Sequence, residues 1–166
     1  DIDVFAAARG PGSFTGLRVG LAAIEGFGFA MKKPSVGVST LAAMAWQVKE
    51  SNIPLAPMLD ARRGEFYCAL FERQGEELVV LREPVVQKPA EWFSCVPTSR
   101  VIFCVGDSSE TLFPTDHPSG WEVAAIDPYL SHTIARLALT SNRELLEPLY
   151  VRKANAEAKK NEGSSS

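Results

Sequence analysis

Arg9-Gly10-Pro11-Gly12-Ser13-Phe14-Thr15-Gly16 runs straight into Leu17-Arg18-Val19-Gly20-Leu21. It joins a strand-like run (Ile2, Val4, Phe5, Ala6 to Ala8) to a long apolar pattern with helical spacing. Glycine and proline together preset a sharp turn. Ser13 stands where a helix takes its N-cap, because its hydroxyl can accept from the free N–H groups of the first turn. A strand, a glycine turn and a helix N-terminus form a geometry that can hold an anion. The same geometry also serves as a tight connection with no ligand.

The helix that follows, Ser13 to Met31, carries only Arg18 and Glu25 as charges, seven residues apart and so on one narrow stripe. Phe14, Leu17, Leu21, Ile24, Gly28 and Met31 trace one apolar face. Gly16, Gly20, Ala23, Phe27 and Ala30 trace another. A helix apolar nearly all round is buried on several sides, so the first reading is a central core helix. The sharper reading gives one face to a partner subunit, with small residues near four-residue spacing letting another helix approach. No membrane span is expected, because two charges and several glycines interrupt a stretch barely long enough to cross.

The 166 residues suit one domain or one and a half small ones, and 46% hydrophobic with 22% charged residues is a soluble globular composition. A formal net charge of −3 gives no basic footprint for nucleic acid. The chain opens on Asp1 with no leader-like segment, which gives the expectation that N-terminal sequence is missing. Cys68, Cys95 and Cys104 are odd in number with no C-x-x-C, against a disulfide framework or zinc knuckle. Cys68 and Cys104 fall in strand-like runs and read as small buried hydrophobes. A reducing, cytoplasmic setting is the expectation.

Lys32-Lys33-Pro34 stops the first helix. Ser35 to Val38 reads as a strand, Leu41 to Glu50 as a helix capped by Ser39-Thr40, and Ser51 to Pro54 as a loop between lobes. Leu55 to Asp60, Glu65 to Glu72 and Leu78 to Val86 form an antiparallel meander. Then come a short helix Pro89 to Cys95, a strand Val101 to Val105, a short helix Ser109 to Leu112, a strand Trp121 to Ile126, and a helix from Asp127-Pro128 to about Leu139. Glu147 to Arg152 is a short extended end, and Ala154 to Ser166 reads as a disordered tail.

Catalytic signals are weak. Gly10 to Gly16 lacks the Lys-Ser/Thr ending of a P-loop and the spacing of G-x-G-x-x-G. His117 and His132 lie on different segments without metal-ligand spacing, so no metal centre is expected. No G-x-S-x-G elbow exists. Asp60-Ala61-Arg62-Arg63-Gly64-Glu65 puts opposite charges around a hairpin. An Asp ending a strand can bind a metal-nucleotide, but such a turn is more often held by local pairing.

Arg9 to Arg18, followed by Gly20, Gly26 and Gly37-Val38-Ser39-Thr40-Leu41, resembles the TsaB (YeaZ) family. Asp60-Ala61-Arg62-Arg63-Gly64-Glu65-Phe66-Tyr67 resembles that family's D-A-R-x-G-E-V-Y turn, and Glu147-Pro148-Leu149-Tyr150-Val151-Arg152 its E-P-x-Y-L-R ending. The similarity covers nearly the whole chain in the family's order. It implies an α/β, actin-like ATPase fold of the sugar kinase–Hsp70–actin, ribonuclease H-like class. On that fold, residues 1–52 are the remainder of the N-terminal lobe, with its start missing, 53–153 the C-terminal lobe and 154–166 the tail.

The resemblance also implies a non-catalytic scaffold that binds TsaD, which carries the metal and the chemistry. With TsaE, that complex places threonylcarbamoyl on adenosine next to the anticodon of tRNAs reading ANN codons. On this reading the partner face is Gly16, Leu17, Gly20, Ala23, Ile24 and Phe27. The turn and helix-cap motif is Arg9, Gly10, Gly12, Ser13, Thr15 and Arg18, and the second-lobe hairpin is Asp60, Arg62, Arg63 and Glu65. The chain alone is expected to bind no cofactor, with ATP or ADP left open in the complex, and to reach tRNA only through the complex. A homodimer through the same helix face stays open. The alternatives are an ATP-binding actin-like enzyme and a metallopeptidase, the latter echoing the family's older glycoprotease name.

Overall fold

Two hydrophobic periodicities build two sheets. The computed structural model describes residues 1–106, 113–114, 116–140 and 146–151. Within them run β1 (Phe5–Gly10), α1 (Phe14–Met31), β2 (Ser35–Ser39), α2 (Thr40–Ala45), β3 (Pro54–Asp60), β4 (Phe66–Gln74) and β5 (Glu77–Gln87). They continue with α3 (Pro89–Cys95), β6 (Val101–Val105), β7 (Trp121–Ala125) and α4 (Ser131–Thr140). The expected helix over Ser109 to Leu112, Arg152 and the tail from Ala154 lie outside the described residues.

β1 and β2 pair in parallel, from Phe5 opposite Ser35 to Ala8 opposite Val38, with α1 as the crossover that parallel pairing demands. The second sheet has the order β5-β4-β3-β6-β7. Its β3-β4-β5 part is the antiparallel meander read from the sequence, and β6 and β7 add in parallel beside β3. Every residue of β6 is buried. Period-two alternation sends Val101, Phe103 and Val105 into a core with Trp92, Met58 and Phe66. Ile102 and Cys104 enter another core with Leu41, Leu55 and Phe71. A third core lies where Val36 and Val38 of β2 meet Ala43, Trp46, Ile134, Leu137 and Ala138. The helix α4 therefore packs on the first sheet, opposite α1. Cys68 and Cys104 are buried, as their patterns suggested, and burial pushes both thiols up to about 12.

Three expectations are corrected. The helix read over Leu41 to Glu50 ends at Ala45. Arg73 reaches in from β4 and its Nη1 donates to the carbonyls of Trp46 (3.5 Å) and Val48 (3.2 Å), giving the chain a partner other than the next helical turn. The last helix begins at Ser131, not at Asp127: the Asp127 carboxylate takes the Tyr129 N–H (2.8 Å) and makes a turn first. Most consequentially, α1 is no central core helix. Only Leu21 and Gly28 are buried along its eighteen residues.

This division of the chain into buried and uncovered aromatics has a measurable consequence. Phe103→Ala, at a fully buried position of β6, is expected to cost about 3–5 kcal/mol in urea unfolding. Phe29→Ala, at 89% exposure on α1, is expected to stay within about 0.5 kcal/mol of the parent.

Candidate functional site

The glycine turn forms as its residues dictate. Gly10 closes β1 with φ at +112°, and a Cβ there would lie 3.0 Å from Leu17 Cδ1 and 3.1 Å from the Leu149 carbonyl oxygen. Only glycine meets both conditions. The Gly10–Pro11 peptide bond is cis. Ser13 caps α1, with its Oγ accepting from the Gly16 N–H at 3.3 Å. Thr15 is exposed on the first turn, and Gly12 lies in open surroundings where a Cβ would meet only Leu17 at 3.9 Å.

The structure brings the chain's last described segment onto this turn, which no local sequence pattern signalled. The Leu149 N–H donates to the half-buried Arg9's carbonyl at 2.7 Å. Arg18 donates from Nε to the Tyr150 hydroxyl at 3.0 Å and holds its guanidinium 4.5 Å from the Phe14 ring centre. Phe14 and Tyr150 are themselves in ring contact at 5.6 Å. Arg18 thus anchors Tyr150, while the Arg9 backbone holds Leu149.

Of the expected partner face, Gly16, Ala23 and Phe27 are exposed, whereas Leu17, Gly20 and Ile24 are half-buried. Leu17 and Ile24 share the inward row with Leu21 and Gly28, so they belong to the helix's seat on the sheet. The seat needs Gly28: a Cβ there would collide with the Ser35 hydroxyl, which donates to the Ile24 carbonyl at 2.8 Å. Nothing in the described chain lies within 4 Å of a Cβ at Gly20 or Gly26. Val19 is 65% and Phe27 58% exposed, and Phe29 stands out from the same helix. The outward side of α1 is a smooth apolar surface whose glycines answer no packing within the described residues. By length and composition alone this helix is also apolar enough to cross a bilayer.

The second-lobe hairpin is strained. Arg62, Arg63 and Gly64 follow one another with φ at +65°, +59° and +73°. The left-handed region costs an arginine about 1 kcal/mol. Asp60 sets the geometry: its Oδ1 accepts the Arg62 N–H at 2.7 Å, and its Oδ2 lies 3.4 Å from Arg62 Nη1. The Ala61 N–H donates to the Glu65 carbonyl at 2.9 Å and closes the loop. The Arg62 side chain is 87% exposed, so its ion pair contributes little. Leu59, just before the turn, lines one small cleft with Pro11, Gly12, Ser13 and Gly16. The C-terminal part of β3 therefore lies beside the glycine turn that ends β1, the end where open α/β sheets hold ligands.

Other reactive groups are scattered. Among the described residues no three His, Cys, Asp or Glu side chains gather as a metal site. His117 stacks on Trp121 within an aromatic cluster with Phe113, and His132 lines a polar cleft of about 710 Å³ with Trp46, Lys49, Arg73 and Arg136. Cys95 is exposed at the end of α3, where hydrogen bonds from Arg82 and Ser94 pull its thiol below the usual range.

Residues 1–113 match the family described as TsaD, tRNA N6-adenosine threonylcarbamoyltransferase. Over 107 residues the chain is 37% identical to the tRNA threonylcarbamoyladenosine biosynthesis protein TsaB of Escherichia coli, covering 55% of this chain and 46% of that protein. The chain thus spans about half the length of that relative. Its fold is similar to two solved structures from Pseudomonas aeruginosa. One is an uncharacterized protein with similarity to peptidase YEAZ (TM-score 0.69, 22% identity, 91% of this chain and 74% of that one). The other is YeaZ (TM-score 0.65, 23% identity, 90% and 73%).

The two kinds of glycine on α1 separate in a stability measurement. Gly26→Ala is expected to raise stability by about 0.5–1 kcal/mol, since only backbone entropy changes. Gly28→Ala is expected to lower the thermal midpoint, because Ser35 and the Lys33 carbonyl leave no room. The opposite order would mean that α1 seats on the sheet by another face.

Proposed function

We propose a role that proceeds from the family: the chain belongs to the TsaB (YeaZ) proteins, within the threonylcarbamoyltransferase family, and has their actin-like α/β fold. It acts in tRNA threonylcarbamoyladenosine biosynthesis as a non-catalytic scaffold and activator. Its partner is a TsaD homologue, joined by TsaE, and the product is threonylcarbamoyl on adenosine next to the anticodon of tRNAs reading ANN codons. The chain binds no cofactor alone, ATP or ADP being a matter for the complex, and it meets tRNA through that complex in the cytoplasm.

One observation carries the reading: the uncovered apolar side of α1. Exposed apolar surface of this extent on a helix marks an interaction site. Glycines at 20 and 26 weaken the helix by about 1 kcal/mol each, and no packing within the described residues asks for them. A second helix laid along Gly16, Gly20, Ala23 and Phe27 would use both properties. The same face supports a homodimer when the partner is absent.

The test is light scattering behind size exclusion, with the chain alone and mixed with the TsaD homologue of the same organism. Ala23→Glu is expected to weaken association at least tenfold while the thermal midpoint stays within about 2 °C, as for exposed sites generally. Loss of the fold together with association would remove α1 as the interface. Calorimetry of the chain with ATP and magnesium is expected to give no binding heat. A stoichiometric signal would favour the actin-like enzyme instead.

A further inference from the structure

One row of α1 is its own complement when reversed. Phe14, Arg18, Glu25 and Phe29 stand four, seven and four residues apart, which keeps them within about 60° of arc on a helix. The midpoint of the row falls between Leu21 and Ala22. Reversal lays phenylalanine on phenylalanine and arginine on glutamate. The row lies about 80° round from Leu17, Leu21, Ile24 and Gly28, which seat the helix on its sheet, so it borders the uncovered side. All four residues are exposed, Phe14 at 56% and Phe29 at 89%. Glu25 makes no ion pair or hydrogen bond among the described residues. Arg18 stands roughly 10 Å from it along the helix, too far to pair within the chain. Arg18 is already held in place: Nε donates to the Tyr150 hydroxyl and the guanidinium lies against Phe14, while both Nη groups keep no acceptor among the described residues. A long side chain fixed in this way loses less entropy when it meets a carboxylate.

We propose that α1 pairs antiparallel with α1 of a second copy of this chain, about a twofold axis passing between Leu21 and Ala22. This rests on the reading of α1 as an interface, and it gives that face a self-paired form which the partner displaces. Charge complementarity selects both the copy and the direction. Two helices meeting on their uncovered sides can be related by a twofold axis running along them or across them. An axis along them leaves the helices parallel and sets the two charged rows on opposite edges of the contact, each facing the Gly16 and Phe27 side of the copy. An axis across them makes the helices antiparallel and brings both rows to the same edge. Arg18 then lies against the copy's Glu25, Glu25 against the copy's Arg18, and each Phe14 against a Phe29. Charges bordering an apolar helix contact set partner and orientation in this manner. A partner of another sequence would have to carry the inverse of the row, whereas the copy supplies it by symmetry. Each side contributes one helix of 18 residues, about 27 Å long, which falls short of the area that a permanent dimer buries. The pairing is therefore weak and concentration-dependent, as suits a face that has to be released.

The experiment is sedimentation velocity of the chain from about 10 µM to about 1 mM, the range of weak contacts. The parent is expected to pass from monomer to dimer across it. Glu25→Arg sets arginine against arginine at two symmetric places and is expected to weaken the dimer about tenfold. Mixing the Arg18→Glu chain with the Glu25→Arg chain puts acid against base at both places again, and is expected to restore affinity to within about threefold of the parent. Oxidative cross-linking reads the direction, with Cys95→Ser throughout because Cys95 is exposed. Ala22→Cys is expected to give a covalent dimer, since the two copies of residue 22 meet beside the axis. Ala30→Cys is expected to give none, its copies lying roughly 25 Å apart. Four results would each overturn the pairing: a chain monomeric across the range, a Glu25→Arg dimer as tight as the parent, a mixture no tighter than either variant, or cross-linking through Ala30→Cys in place of Ala22→Cys. Light scattering with the TsaD homologue keeps the two readings apart. A chain that is monomeric alone yet joins the homologue loses the pairing and keeps the scaffold. A chain that pairs through Arg18 and Glu25 yet joins no homologue keeps the pairing and loses the scaffold. With both readings in force, the homologue is expected to dissolve the dimer, and a homologue bound to an intact dimer would overturn the displacement.

Discussion

A six-residue helix holds the two sheets together, and the rest of the structure depends on it. Leu41, Met44 and Ala45 of α2 face the five-stranded sheet, where they meet Leu55, Phe71, Ile102 and Cys104. Ala43, with Trp46 just beyond, faces β2 and α4. Ala42 touches both cores. Alanines at these positions let backbones approach from both sides at once, and close packing of this kind tolerates little change in volume. The junction is then tied from two distant parts of the chain. Arg73 stacks its guanidinium 4.0 Å from the Trp46 ring centre while bonding the carbonyls that follow α2. Gln47 exchanges two 2.9 Å hydrogen bonds with the backbone of Asp127, fixing the approach to α4. With α2 and α4 filling one side of the first sheet, α1 takes the other side, and there the described chain has nothing left to cover it.

Where one face of one element explains a pattern, the sequence reading and the structure agree. The uninterrupted apolar run of β6, the alternation through the meander, and Pro89 opening α3 each have a single physical solution, and their bounds match closely. The errors arise where a hydrophobic pattern has more than one cause. Trp46 and Val48 continue the apolar spacing of α2 and are buried, but under a long-range arginine rather than on a helix. In α1, a sequence apolar all round says that the surface is to be covered. It does not say whether the cover comes from the same chain.

The candidate site was legible in part for a similar reason. The Ser13 cap and the positive φ of Gly10 are local chemistry and could be read directly. Contacts between Arg18 and Tyr150, 132 positions apart, have no local signal. The left-handed arginines were invisible because arginine has no leaning toward that conformation, and only the Asp60 side chain and the closing Ala61–Glu65 bond impose it. In space, two of the three blocks that carried the family resemblance draw together, the glycine turn receiving residues 149–150, and Leu59, the residue before the third block, lines the small cleft beside that turn.

The three tryptophans are all buried, and they fall in two packing units. Trp46 lies under the Arg73 guanidinium at the junction, whereas Trp92 and Trp121 share the core beneath α3, where Trp121 is in ring contact with Phe93, Phe103 and His117. Indole emission shifts with exposure to water, and a cation held against the ring alters its brightness. The protein therefore carries three built-in optical gauges. With the other two replaced by phenylalanine, the light from Trp46 alone would reveal whether the sheets part before either one melts.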